Sequence, residues 1–158
     1  MALATHTVAI NAAFLQEIKD DHHELRQLMH HTQAMLERPS WMTTEYDRLV
    51  DLLSKLRDQL AMHFSLEEAF GYFEDAISSA PHLSKRADFL RGQHAGLYSQ
   101  VCQLAERAEG LLYGEPTLAA VADLANGYRR FSTQFAEHES RECELILEAF
   151  HSDIGAGD

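Results

Sequence analysis

The sequence predicts an all-α fold, an antiparallel up-down-up-down four-helix bundle, on three observations. Three prolines, Pro39, Pro81 and Pro116, divide the chain into four long stretches. Each stretch carries a stripe stepping by three and four residues, the period of a helix that buries one face. No useful window shows the alternation expected of a strand. Prolines do least harm in loops or in the first turn of a helix, where no backbone N–H is missed. At 158 residues the chain suits one domain, 1–158, with a sizeable core.

The first helix, 10–37, follows from Leu15, Ile18, His22, Leu25, Met29, Thr32 and Leu36. The second, 44–74, follows from Leu49, Leu53, Leu56, Leu60, His63, Glu67 and Phe70. The third, 82–112, carries Leu83, Ala87, Leu90, His94, Leu97, Val101, Leu104, Ala108 and Leu111. The fourth, 117–150, carries Val121, Leu124, Tyr128, Phe131, Phe135, His138, Glu142, Leu145 and Ala149. Short loops between them make neighbours antiparallel. The tail 152–158 is small and polar and is expected to fray.

Charge narrows the function. With 25 Asp+Glu against 13 Lys+Arg, the net charge is −12, and phosphate contacts need clustered Lys and Arg. No nucleic-acid partner is expected. No apolar run approaches the roughly 20 residues of a membrane span, so no membrane partner is expected either. The opening MALATHTVAINA has neither a basic n-region nor a continuous apolar core, so no secretory signal is read there. Two cysteines, Cys102 and Cys143, suit a reducing cytoplasm better than a disulfide framework. No paired nucleophile and base, phosphate-binding glycine loop or Cys-x-x-Cys pair is present.

The stripes themselves are interrupted by one imidazole each: His22, His63, His94 and His138. In the second and fourth a carboxylate follows four residues later, at Glu67 and Glu142, on the same face one turn away. Unpaired buried carboxylates and imidazoles are costly, so a bundle core keeps such a set only when its members satisfy one another or hold a metal. Their depths agree. His63 and His94 lie about 15 and 16 residues from Ser78, and His94 and His138 about 20 and 24 from Gly114. At 1.5 Å per residue these mismatches amount to about one turn or less. The first loop gives a looser match, about seven residues. Imidazole with carboxylate suits iron and other first-row metals, and one carboxylate can bridge two ions. The helix-one stripe favours His22 over the adjacent His23. His6, His30, His31, His82 and His151 read as solvated or loop residues.

These residues resemble the hemerythrin-like, or HHE cation-binding, proteins, non-haem di-iron four-helix bundles. The likeness runs from Asp21-His22-x-x-Leu25 through His63-Phe64-Ser65-Leu66-Glu67-Glu68 to His138-x-x-x-Glu142. It implies two Fe ions with carboxylate and oxo or hydroxo bridges, and no haem. By this likeness His22 and His63 would hold one iron, His94 and His138 would serve the other, and Glu67 and Glu142 would bridge. Two departures stand out. Oxygen carriers of the family have a second histidine one turn after the helix-three ligand, where this chain has Tyr98. Their last carboxylate is an Asp five residues after the final histidine, where this chain has Glu142 at four and Cys143 at five. A ferritin-like plan is disfavoured, because there the carboxylate precedes the histidine.

Tyr98 either ligates iron as a phenolate, donates a hydrogen bond to a bound oxygen, or sits with its hydroxyl in water. Gly92 and Gly96, with Gly71, suggest close helix approach or a ligand channel, the former being favoured. Glu68, Glu139 and Arg26 are expected in solvent, and Cys143 as a small buried residue. Without the extra histidine both irons keep an accessible position, which favours redox turnover of O₂, peroxide or nitric oxide over oxygen storage. The expected partner is thus a small diatomic or peroxide ligand. The alternatives are an oxygen or iron sensor, reversible O₂ binding without turnover, or a metal-free helical interaction module. The oligomeric state is not encoded in these features.

Overall fold

A computed structural model describes residues 20–38, 45–69, 77–78, 80–114 and 117–156. Four long helices dominate, and no strand occurs among the described residues. They are α1 at 20–36, α2 at Tyr46–Ala69, α3 at Ser84–Leu112 and α4 at Leu118–Ala156. Leu15, Ile18, Phe70 and Gly71 lie outside the described residues, as do Pro39 and Pro116.

Local chemistry sets the ends. Asp47 in the first turn of α2 suits the positive end of the helix dipole. Pro81 opens a single 3₁₀ turn, Pro81–Leu83, that leads directly into α3. The Thr117 hydroxyl accepts the Ala120 N–H at 3.1 Å, the capping bond of a helix that begins at Leu118. At its other end α4 runs on to Ala156, past the end expected near 150. No proline intervenes after Pro116, and extending an existing helix gains one hydrogen bond for each residue fixed.

The stripes of α2, α3 and α4 face inward as their spacing requires. Leu49, Leu53, Leu56, Leu60, Ala87, Leu90, Val101, Leu104, Leu124 and Phe131 are buried. Helix α1 keeps Leu25 and Thr32 of its expected stripe and differs at the ends. Its most buried line is Asp21, Leu25, Thr32 and Met35, while His22, Met29 and Leu36 are only half covered. The helix is rotated so that Asp21, and not only His22, enters the bundle.

Neighbouring helices are tied at matched heights. The Tyr46 hydroxyl donates to the Ala108 carbonyl at 2.5 Å, so the start of α2 meets the end of α3. Further along, Phe64 of α2 stacks on His94 of α3, with ring centroids 4.0 Å apart. The Tyr128 hydroxyl of α4 donates to the Met29 carbonyl of α1 at 2.7 Å. Between α3 and α4, Gln100 donates to Gln134 at 2.6 Å, and Arg86 pairs with Glu148. Burial pushes the phenol of Tyr46 up to about 12 and that of Tyr128 higher still, so both stay neutral donors.

Glycine placement corrects one expectation. A Cβ at Gly92 or Gly96 would meet nothing within 4 Å, so neither permits a close helix approach. That role falls to Gly127, where a Cβ would lie 2.9 Å from the Leu104 methyl, so α4 lies close against α3 at that point. The apolar interior forms two clusters. The larger runs from Tyr46 to Phe135; the smaller consists of Ala80, Leu83, Ala87, Leu90, Leu145 and Ala149. A layer of histidines and carboxylates lies between them.

Candidate metal centre

Each helix delivers one imidazole to this layer, as the stripes require. His63, His94 and His138 are buried and His22 is half-buried. His23 points outward instead and, among the described residues, bonds to Gln27 of its own helix. The donor atoms form two groups, each with atoms within 4.8 Å of one another. One is His22, His63 and Glu139; the other is Glu67, His94, His138 and Glu142.

Glu67 joins the two. Its Oε1 lies 2.9 Å from His63 Nε2, and its Oε2 lies 3.3 Å from His94 Nε2. Glu142 behaves differently from expectation. Its Oε1 reaches His138 Nε2 at 2.7 Å and His94 Nε2 at 3.4 Å, so its contacts stay within one group. The counterpart in the other group is Glu139, whose Oε1 is 3.0 Å from His63 Nε2 and whose Oε2 is 3.0 Å from His22 Nδ1. Glu139 was expected in solvent; its side chain is only 16% exposed. A signal for it exists in the sequence. Ala125, Ser132, Glu139 and Ile146 recur every seven residues and are all at least partly buried, which marks a flank widening the stripe.

A second ring of contacts holds the imidazoles from behind. His63 Nδ1 is 2.7 Å from Asp21 Oδ2, His94 Nδ1 is 3.0 Å from Glu68, and His138 Nδ1 is 2.8 Å from Gln93 Oε1. Each backing residue is the sequence neighbour of an inward donor on its own helix, yet serves the next helix. Asp21 adjoins His22, Glu68 adjoins Glu67, Gln93 adjoins His94, and Glu139 adjoins His138 and closes the circuit on His22. One residue turns a helix by 100°, enough to address the adjacent helix rather than the bundle axis. Acceptors on Nδ1 fix the ring orientation and turn Nε2 of His63, His94 and His138 toward the carboxylates.

The electrostatics follow from this crowding. Burial works against charge on His63, but Asp21, Glu139 and Glu67 outweigh it and push its pKa up to about 12. His94 is raised to about 9 by Glu142, Glu67 and Glu68, again against burial. Burial favours the neutral acid at Glu139 and Glu67, but the histidines prevail. Glu139 is lowered to about 2 by His22 and His63, and Glu67 is lowered by His63 and His94. The layer demands positive charge, from protons or from a metal.

Two atoms discriminate between these. Glu67 Oε2 and His138 Nε2 are fully buried and make no hydrogen bond, although oppositely disposed atoms lie 3.3 and 2.7 Å away. The groups are close but not aligned for proton sharing. A buried, unsatisfied oxygen and nitrogen converging with further Nε2 and carboxylate atoms is the donor set of a cation. The residues therefore fit a metal.

Tyr98 falls in neither group. Leu97, three residues after His94, takes the inward slot, and Tyr98 is 37% exposed. Cys102 beside it raises its pKa. Tyr98→Phe is accordingly expected to leave metal content and any visible absorption band unchanged; loss of a band would restore it as a ligand. Cys143 is exposed rather than buried. Arg26 is exposed as expected, at a cavity of about 760 Å³ that opens between α1 and α4 onto His22, His63, Glu67, Glu139 and Glu142. Among the described residues no helix is long and apolar enough to cross a membrane.

No curated protein and no solved structure matches the chain. The family model of the hemerythrin HHE cation binding domain matches residues 13–150, which include every inward histidine and carboxylate described above. A match over most of the chain, together with His/Glu donor groups drawn from all four helices, places it: this protein belongs to the hemerythrin HHE cation-binding domain family.

Proposed function

We propose that the chain is a non-haem di-iron protein that binds or reduces O₂, peroxide or nitric oxide. The observation that carries this reading is the pair of donor groups joined by Glu67, with Glu67 Oε2 and His138 Nε2 left without hydrogen bonds. His22, His63 and Glu139 would hold one iron, and His94, His138 and Glu142 the other. Glu67 would bridge through its two oxygens. Iron bound there supplies one-electron redox chemistry and open coordination for a small ligand.

The residues supply the rest. The cavity of about 760 Å³ gives a small molecule a route to His22, His63 and Glu67. Phe64 and Phe135 pack against the imidazoles and keep bulk water from that side. The two donor sets are alike in number, so neither position is closed by an extra histidine. That balance supports turnover over storage. An antiparallel order of the four helices is supported by the paired heights of Tyr46 with Ala108, Phe64 with His94, and Tyr128 with Met29. The free thiols of Cys102 and Cys143 suit a cytoplasmic setting.

The test is metal analysis with visible absorption on protein purified in air without chelators. Iron filling both positions is the expected result. A metal-free protein that stays folded and refuses ferrous iron anaerobically ends the reading. Slow, fully reversible oxygen release in stopped flow would convert it to an oxygen-binding protein without turnover.

Protons compete with the metal, which sets a pH dependence. His63 and His94 have folded-state pKa values of about 12 and about 9, above the ordinary 6.5. Their contribution to metal-free stability is therefore complete below about 6.5 and is lost as pH rises through 9 and beyond. Glu139, lowered to about 2 from 4.5, contributes fully above about 4.5 and loses its share as pH falls toward 2. The metal-free Tm is expected to peak between these limits and decline above pH 7. Metal binding displaces the same protons, so the Tm gain on loading should widen from pH 6 to pH 9. A gain independent of pH would mean that the protons of these imidazoles are not displaced by metal.

A further inference from the structure

The two donor sets are matched: each has two imidazoles, one private carboxylate and one oxygen of Glu67. What stands behind them is not matched. His63 is backed by Asp21, a carboxylate only 7% exposed whose other oxygen accepts a bond from Gln59 Nε2 at 2.7 Å. Both Asp21 oxygens are thereby engaged, and its rotamer is fixed between α1 and α2. His138 is backed by the neutral amide of Gln93. His94 is backed by Glu68, but that carboxylate is 49% exposed and its charge is screened by solvent. A buried full charge therefore stands behind one position only.

We propose that Asp21 is a positioning residue that makes the two metal positions unequal, so that the ion held by His22, His63 and Glu139 stays oxidised longer than its partner. The inference rests on the di-iron reading above. An anionic partner on the far nitrogen makes an imidazole a stronger donor, and a stronger donor favours the more highly charged ion. Little solvent screens Asp21, so its effect persists at physiological salt. The step concerned is the gain of one electron from an external reductant, converting one ferric ion to ferrous. No bond to Asp21 forms or breaks. The first electron then goes to the His94, His138 and Glu142 position, backed by the neutral Gln93.

The test is a potentiometric titration of the full-length, iron-loaded protein with dithionite, followed by visible absorption and by electron paramagnetic resonance at half reduction. Asp21→Asn keeps an oxygen acceptor for His63, removes the charge, and places an NH₂ where Gln59 now donates, so the Gln59 amide must turn its own oxygen toward it. The substitution is expected to cost about tenfold in preference for ferric over ferrous ion at that position, raising the lower potential by about 59 mV and leaving the upper one in place. Gln93→Glu supplies the missing charge behind His138 and should lower the upper potential, narrowing the gap. A merely structural Asp21 would change Tm without moving one potential selectively. The proposal is overturned if both potentials in Asp21→Asn shift together or stay put, or if Gln93→Glu leaves the gap unchanged; the second variant decides alone if the first does not fold. Iron uptake with unmoved potentials removes only this inference, whereas refusal of iron by the unaltered protein removes the di-iron reading with it.

Discussion

Replacing Glu67 with alanine is expected to empty both metal positions at once and to destabilise the metal-free bundle by about 3–5 kcal/mol. The first effect follows from its reach, 2.9 Å to His63 in one group and 3.3 Å to His94 in the other. No other carboxylate among the described contacts reaches imidazoles of both groups. The second follows from charge. Glu67 is 3% exposed and offsets the protonated rings of His63 and His94; removing one partner leaves the other charges buried and uncompensated. Glu67→Gln separates the two, because it keeps the volume and loses the charge. Metal content by elemental analysis and Tm by calorimetry are the measurements. A Glu67→Ala protein that still fills one position normally would show that the carboxylate serves a single ion.

Phe64→Ala carries the second large effect, a loss of about 3–5 kcal/mol for truncating a buried aromatic ring. Phe64 lies face to face with His94 at 9° between planes and edge-on to His138, with centroids 6.0 Å apart. It also touches Phe135, which itself packs against His63 and His138. The ring is thus the apolar wall common to the histidines of three helices. Without it the stacked face of His94 loses its support and water gains entry to the layer. Denaturant unfolding should show the stability loss, and loaded protein should release metal to a chelator faster. Unchanged release would mean that the carboxylates alone hold the rings in place.

How far the sequence revealed this site depends on which helix one reads. On α2, α3 and α4 the inward lines are mostly apolar, so a polar residue at the same period stands out; His63, His94 and His138 were visible for that reason. On α1 the inward line is Asp21, Leu25, Thr32 and Met35, where polar residues occupy two of the stripe positions themselves. The stripe read from the sequence shares Leu25 and Thr32 with this line but takes His22 and Leu36 where the line has Asp21 and Met35, which finds His22 and hides Asp21. Glu139 was hidden because it lies on the flank of a stripe whose centre already contained His138. Glu68 and Gln93 leave less trace. Each contacts a histidine on a neighbouring helix, and which helix is the neighbour is a tertiary fact that no single stripe contains. Tyr98 misled for the reverse reason: spacing of four from His94 is compatible with the same face, but Leu97 occupies the inward slot.

The division of the interior into two apolar clusters has a consequence for how the molecule opens. The larger cluster is sealed by the Tyr46 and Tyr128 hydroxyl bonds and includes residues from all four helices. The smaller, Ala80, Leu83, Ala87, Leu90, Leu145 and Ala149, is separated from it by the histidine–carboxylate layer. A small patch insulated from the main core by ionisable groups is suited to local unfolding as a unit of its own. In metal-free protein, amides near Ala87–Leu90 and Leu145–Ala149 should therefore exchange with deuterium well before those near Leu53–Leu60 and Leu124–Phe131. Once loaded, the layer becomes a cross-link between the two clusters, and the exchange rates of the two regions should converge. The metal would then decide whether this end of the bundle behaves as part of one cooperative body or as a separately melting cap.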